Sequence, residues 1–73
     1  MGRFRLQVGI FADEPSAQGM VLRLRNVGLN PAYEISNNYY RVVIAGVPAT
    51  DLDTITRRIN AAGFTDILIR TEP

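Results

Sequence analysis

The sequence predicts an α+β domain of βαββαβ order, a ferredoxin/RNP-like fold whose four-stranded antiparallel sheet carries two helices on one face. Three observations predict it. The chain says nearly the same thing twice, because Arg5-Leu6-Gln7-Val8-Gly9-Ile10-Phe11 has a counterpart in Arg41-Val42-Val43-Ile44-Ala45-Gly46-Val47, 36 residues on. Each of these segments is followed by an apolar stripe at helical spacing, and each stripe closes on a glycine, Gly28-Leu29 and Gly63-Phe64. A strand–helix–strand unit cannot bury its apolar face alone, so two copies must share one sheet and one core. The repeat divides a single domain, residues 1–73, into halves at 3–36 and 39–70. In such a sheet the first and third strands lie in the middle.

The first strand, 3–11, alternates. Phe4, Leu6, Val8 and Ile10 fall on one face, and Arg3, Arg5, Gln7, Gly9 and Phe11 on the other. Asp13 or Glu14 caps the helix over 14–27, with Pro15 in the first turn, where a missing N–H costs nothing. Ala17, Met20, Val21, Leu24 and Val27 form its apolar stripe. Arg23 and Arg25 sit late in the helix, where the dipole favours cations. Gly28 is the left-handed stop.

Pro31 and a polar end make residues 30–36 a short edge strand. Asn37-Asn38 is a turn signal, since asparagine tolerates positive φ. Residues 39–47 are nearly continuous in apolar and β-branched side chains, as a central strand covered on both sides would be. Thr50 is placed to cap the second helix over 51–62, with Asp53 three residues on. Leu52, Ile55, Ile59 and Ala62 supply its buried stripe and Gly63 ends it, leaving 66–70 as the last strand. The expected core is Leu6, Val8, Val21, Leu24, Val42, Ile44, Leu52, Ile55, Ile59 and Ile67.

Composition bounds function as firmly as fold. Eight basic and seven acidic residues give a net charge of +1, too little for the basic excess that duplex DNA favours. The chain has neither cysteine nor histidine, which removes disulfides, thiolate chemistry, the commonest general base and the commonest transition-metal ligand. No metal and no cofactor are expected. No stretch approaches the roughly 18–20 apolar residues of a membrane span. The first strand begins almost at the first residue and the last ends almost at the final one, as expected of a domain cut from a longer protein.

Catalysis has little to work with. Asp51 and Asp53 are close in sequence, and so are Asp13 and Glu14, but each pair falls in a first helical turn, where acids serve the dipole. No nucleophile stands beside an evident base. Gly9-Ile10-Phe11-Ala12 and Ala45-Gly46-Val47-Pro48 lack the Gly-Lys-Ser/Thr ending of a phosphate loop. A glycine within a strand more often marks a bulge or a close approach of another group. The helix-free face is the better candidate. Alternation puts Arg5 and Gln7 there from the first strand, and Tyr39, Arg41 and Val43 from the third. Guanidinium groups, an amide and an aromatic ring make a flat surface suited to sugars, whose C–H faces pack on rings while their hydroxyls take polar partners. The same residues also fit the solvated face that antiparallel sheets often present.

Leu6-Gln7-Val8-Gly9-Ile10-Phe11, a helix ending Leu24-Arg25-Asn26-Val27-Gly28-Leu29, and Pro31-Ala32-Tyr33 resemble the first half of a SPOR domain (sporulation-related repeat). Tyr40-Arg41-Val42-Val43-Ile44-Ala45-Gly46-Val47 and Ile59-Asn60-Ala61-Ala62-Gly63-Phe64 resemble its second half. The resemblance covers essentially the whole chain. It implies a non-catalytic targeting module that binds bacterial peptidoglycan, in particular glycan strands stripped of their stem peptides, as they accumulate at the division septum. It also implies a place in the cell envelope, periplasmic or extracytoplasmic. The module would be part of a division protein or cell-wall enzyme, with any membrane anchor or enzyme domain elsewhere in that protein.

Carried over residue by residue, the family's first-strand glutamine is Gln7 and its third-strand arginine is Arg41. The aromatic that opens the third strand is Tyr39 or Tyr40. The glycan-binding set expected from residues and resemblance together is Arg5, Gln7, Tyr39, Tyr40, Arg41 and Val43. Two departures stand out: Ile44-Ala45-Gly46-Val47 replaces the family's frequent Val-Gly-Pro-Phe, and Val43 stands where a polar residue is common.

Three rival readings share the topology. Single-stranded RNA binding would use Tyr39 and Tyr40, but the basic-Gly-aromatic-Gly run of that family is absent from the third strand, and no nucleic-acid partner is expected. A small-molecule regulatory module would need a glycine-rich loop after the first strand, which is not evident. A protein-interaction domain would pair through the edge strand. The domain is expected to act as a monomer.

Overall fold

The computed structural model describes residues 2–73. Strand β1 spans Arg3–Phe11, helix α1 Glu14–Asn26, strand β2 Ala32–Ser36 and strand β3 Tyr39–Pro48. A single 3₁₀ turn, Ala49–Asp51, runs into helix α2, Leu52–Ala61, and strand β4, Leu68–Thr71, closes the chain. The strands lie in the order β2-β3-β1-β4 and every neighbouring pair is antiparallel. The predicted fold is therefore observed, with the first and third strands in the middle. Leu6, Val8, Val42, Ile44 and Val47 of the sheet form one buried cluster with Ala17, Met20, Val21 and Leu24 of α1 and Ile59 of α2. Both helices thus cover the same face. Of the expected core, Leu52, Ile55 and Ile67 are only half-buried, packed against that cluster from its margin.

The local signals work mostly as read. The Asp13 side chain accepts a hydrogen bond from the Ser16 N–H at 2.9 Å, and this bond holds its carboxyl below the usual carboxylate range. Both helices end in the same motif. At α1 the Leu29 N–H reaches the Leu24 carbonyl (3.1 Å) and the Gly28 N–H that of Arg25 (3.0 Å). At α2 Phe64 reaches Ile59 (3.2 Å) and Gly63 reaches Asn60 (3.0 Å). Gly28 and Gly63 have φ of 84° and 98°, where a β-carbon is strained. Open space surrounds the position a Gly63 β-carbon would take. Gly63→Ala should therefore lose about 1–2 kcal/mol from backbone strain alone. Gly19→Ala, equally unobstructed but mid-helix, should gain about 0.5–1 kcal/mol. Urea melts that shift both midpoints in the same direction would overturn this account of the two glycines.

Between β2 and β3, Asn37 and Asn38 have φ of 52° and 67°, the pair of positive values that a two-residue hairpin turn requires. Thr50 does not cap α2. The turn at 49–51 supplies the helix start instead, with the Leu52 N–H bonded to the Ala49 carbonyl and no side-chain cap at Asp51.

Two bulges interrupt the β1–β3 ladder, and the second corrects the simple alternation of β1. Phe4 pairs with Val47 and Leu6 with Ile44, so β3 holds one extra residue there, next to Gly46 with φ of 66°. Gln7 pairs with Val43 but Gly9 with Val42, so β1 holds one extra residue beyond Gln7. Everything after that point changes face. Gly9 and Phe11, expected on the open face, turn toward the helices; Ile10, expected in the core, lies opposite Arg41 and is 49% exposed. A β-carbon on Gly9 would lie 2.6 Å from the Met20 Sδ, so the glycine is the close approach that lets α1 settle on the strand. The β1–β4 ladder also stops at Gln7, opposite Leu68. That is why β4 begins two residues later than the sequence predicts.

Candidate functional site

The helix-free face is built from alternate residues of all four strands, and strand register decides which ones meet. Gln7 sits at its centre, half-buried, with Val43 of β3 opposite on one side and Leu68 of β4 on the other. Arg5 lies one step along β1, opposite Arg70. Arg41 of β3 lies between Ile10 of β1 and Glu34 of β2. Tyr39 opens β3 at the hairpin and is 49% exposed.

Arg5 forms an ion pair with Glu34, two strands away, so the pair spans β3 diagonally. Val43 lies beneath that diagonal and is only 4% exposed, although it faces away from the helices. This explains why a valine stands where a polar residue was expected: the side chain is a covered floor. Arg41 Nε is also buried and has no hydrogen-bond partner.

Tyr40 is not on this face. It pairs with Phe11 and Ile35 on the helix side and packs against the core. Its ring meets that of Tyr33 edge-on, with centroids 5.7 Å apart and planes at 62°. The Tyr33 hydroxyl in turn donates to Glu14 at 2.5 Å, which pushes the phenol's pKa up. The structure thus brings Arg5, Gln7, Tyr39, Arg41 and Val43 together and sets Tyr40 apart. Alternation along the third strand gives the faces of Tyr39, Arg41 and Val43 as observed; the choice between Tyr39 and Tyr40, open in the resemblance, is made by the pairing of β3 with β1 and β2.

The sequence did not point to several further residues of the face, among them Ile10, Glu34, Leu68 and Arg70. Ile10 was hidden by the bulge. The others lie on outer strands, where alternation alone does not reveal the register with β1 and β3. Together they give the face two exposed apolar patches, Ile10 and Leu68, beside the polar centre. Beyond Gln7, where β4 has left the ladder, an open groove of about 570 Å³ runs between residues 7–11 and residues 65–68. A small cavity of about 70 Å³ lies between Arg5, Gln7, Arg41, Leu68 and Arg70.

The acids considered for catalysis sit elsewhere. Asp13 caps α1, Glu14 accepts from Tyr33, and Asp53 pairs with Arg57 at 2.6 Å within α2. Among the described residues no cluster of three or more acids could hold a metal ion.

A family model described as the SPOR domain matches residues 1–70. No match is found among curated proteins. The fold is similar to the solution structure of the peptidoglycan binding domain of the B. subtilis cell wall lytic enzyme CwlC. The TM-score is 0.82 at 24% identity, covering 100% of this chain and 92% of that one. It is similar as well to the C-terminal RNP domain of the divisome protein FtsN. There the TM-score is 0.67 at 24% identity, covering 97% of this chain and 94% of that one.

Proposed function

The chain belongs to the SPOR domain family, and on that premise we propose that it is a peptidoglycan-binding targeting module whose ligand is the glycan strand stripped of stem peptides, as at the division septum. One observation carries the proposal beyond the family: the helix-free face gathers Gln7, Arg5 and Arg41 around a covered valine floor, with Ile10 and Leu68 exposed alongside. Sugars present that face with hydroxyls for the amide and guanidinium groups and C–H surfaces for the apolar side chains. Stem peptides projecting from the strand would keep a flat face from closing on the sugars. The peptidoglycan-binding domain of the CwlC lytic enzyme, similar in fold, supports the same reading.

The module is non-catalytic in this reading, acts as a monomer and works in the cell envelope, outside the cytoplasmic membrane. It serves a larger division protein or cell-wall enzyme. No helix among the described residues is long and apolar enough to cross a membrane. RNA binding gains nothing from the structure, because Tyr40 faces the core and leaves Tyr39 as the one tyrosine of β3 on the open face.

Co-sedimentation with purified sacculi tests the proposal. Binding should rise after the sacculi are treated with an amidase that removes stem peptides, and the purified domain should release no soluble sugar. Equal binding to treated and untreated sacculi would refute the stripped-strand preference, and sugar release would refute the non-catalytic role.

A further inference from the structure

The arginines of the open face are unevenly matched by acids. Arg5, Arg41 and Arg70 reach one small cavity from β1, β3 and β4, and no carboxylate lines it. The two acids that register places on this face are engaged. Glu34 is held by Arg5, and Glu72 Oε1 accepts the N–H of Gly46 at 3.1 Å. Among the described residues neither Arg41 nor Arg70 has an ion-pair partner, and Arg41 Nε is a buried donor with nothing to donate to. Like charges gathered around a partly desolvated cavity raise the local potential and favour an anion. Guanidinium groups, planar and forked, suit a carboxylate in particular.

We propose that this cavity receives a carboxylate, and, resting on the peptidoglycan reading above, that it is the lactyl carboxylate of a muramic acid residue in the glycan strand. In an intact strand that carboxyl is tied up as the amide that begins the stem peptide; it carries no charge and drags a peptide into a cavity of about 70 Å³. Hydrolysis of the amide removes the peptide and leaves an anion in one step. The preference for stripped strands then has an electrostatic cause as well as a steric one. Glu34 is an internal competitor in this scheme, because it holds Arg5 while the ligand's carboxylate is absent.

The test uses glycan strands released from amidase-treated sacculi, either with their carboxylates free or converted to neutral methylamides. At low ionic strength the domain should bind the free-acid strands at least tenfold more tightly than the methylamides, and added salt should shrink the difference. An Arg41→Gln, Arg70→Gln double variant should bring the two forms within about twofold of each other. Glu34→Gln, which releases Arg5 and removes a repelling charge, should tighten binding to the free-acid strands several-fold and widen their margin over the methylamides. Equal affinity of the unaltered domain for both strand forms overturns the carboxylate assignment and leaves glycan binding standing. Failure to bind either form overturns the peptidoglycan reading with it.

Discussion

Leu24→Ala should leave much of the chain unfolded in mild denaturant, while Leu22→Ala, two residues away on the same helix, should melt almost with the parent. Leu24 is fully buried, in one cluster with Leu6, Val42 and Ile59; Leu22 is 59% exposed. Removing a buried leucine side chain costs about 2–5 kcal/mol, partly in lost transfer and partly in the cavity left behind. Domains have roughly 0.05–0.15 kcal/mol of stability per residue, or about 4–11 kcal/mol for a chain this short. Leu24 alone therefore carries between a fifth and all of the margin. Leu22 should change stability by no more than about 0.5 kcal/mol. Ile59→Ala, also fully buried, should fall with Leu24→Ala, because α1 and α2 meet the sheet through these two side chains. Urea melts followed by far-UV circular dichroism measure all three. A Leu24→Ala midpoint matching that of Leu22→Ala would mean that the helix packs through a different stripe.

Both of these side chains were legible in the sequence, and the reason is local. A helix repeats every 3.6 residues whatever lies beyond it, so Leu24 and Ile59 are marked by spacing, and Gly28 and Gly63 by the left-handed stop that follows. The two asparagines of the hairpin are legible for the same reason. The sheet is different. Which face a strand residue takes depends on an unbroken count from a fixed point, and one bulge resets the count. The expected faces of β1 hold from Arg3 to Val8 and fail at Gly9, Ile10 and Phe11. Gly9 itself was the available signal, a glycine inside an otherwise well-formed strand, and it proves to mark both a register shift and the close approach of Met20. The alternation that puts Tyr39, Arg41 and Val43 on the open face is observed and leaves Tyr40 on the helix side; Tyr40 stood in the expected set only because the resemblance allowed either tyrosine as the aromatic that opens the third strand. Arg70 and Glu34 became part of the site only through pairing with strands far away in sequence. Thr50 shows the limit of cap signals, because a 3₁₀ turn can satisfy the same donors without a side chain.

A Gln7→Ala, Arg41→Ala double mutant should lose glycan binding by a factor of about 30 to 1,000 while keeping its fold. The two residues lie on neighbouring central strands on the face that no helix covers, with Val43 as the floor between Gln7 and the edge strand. Neither side chain makes a hydrogen bond within the protein among the described residues, and Arg41 Nε is buried without a partner. A neutral hydrogen bond contributes about 0.5–1.5 kcal/mol and one to a charged group about 1.5–3; losing one of each removes roughly 2–4 kcal/mol. A flat face with few anchors is expected to bind at micromolar strength, near −8 kcal/mol, so such a loss moves binding to between tens of micromolar and about millimolar. Avidity along a glycan strand with many sites will soften the effect on whole sacculi, so the measurement belongs on short, soluble strands. The melting midpoint should move little, since the core cluster contains neither residue. Unfolding of the double mutant would show that the arginine stem and the amide brace the sheet and are not held ready for a ligand. A folded double mutant that binds short strands as tightly as the parent would place the site off this face, and the groove beside residues 65–68 would become the next surface to test.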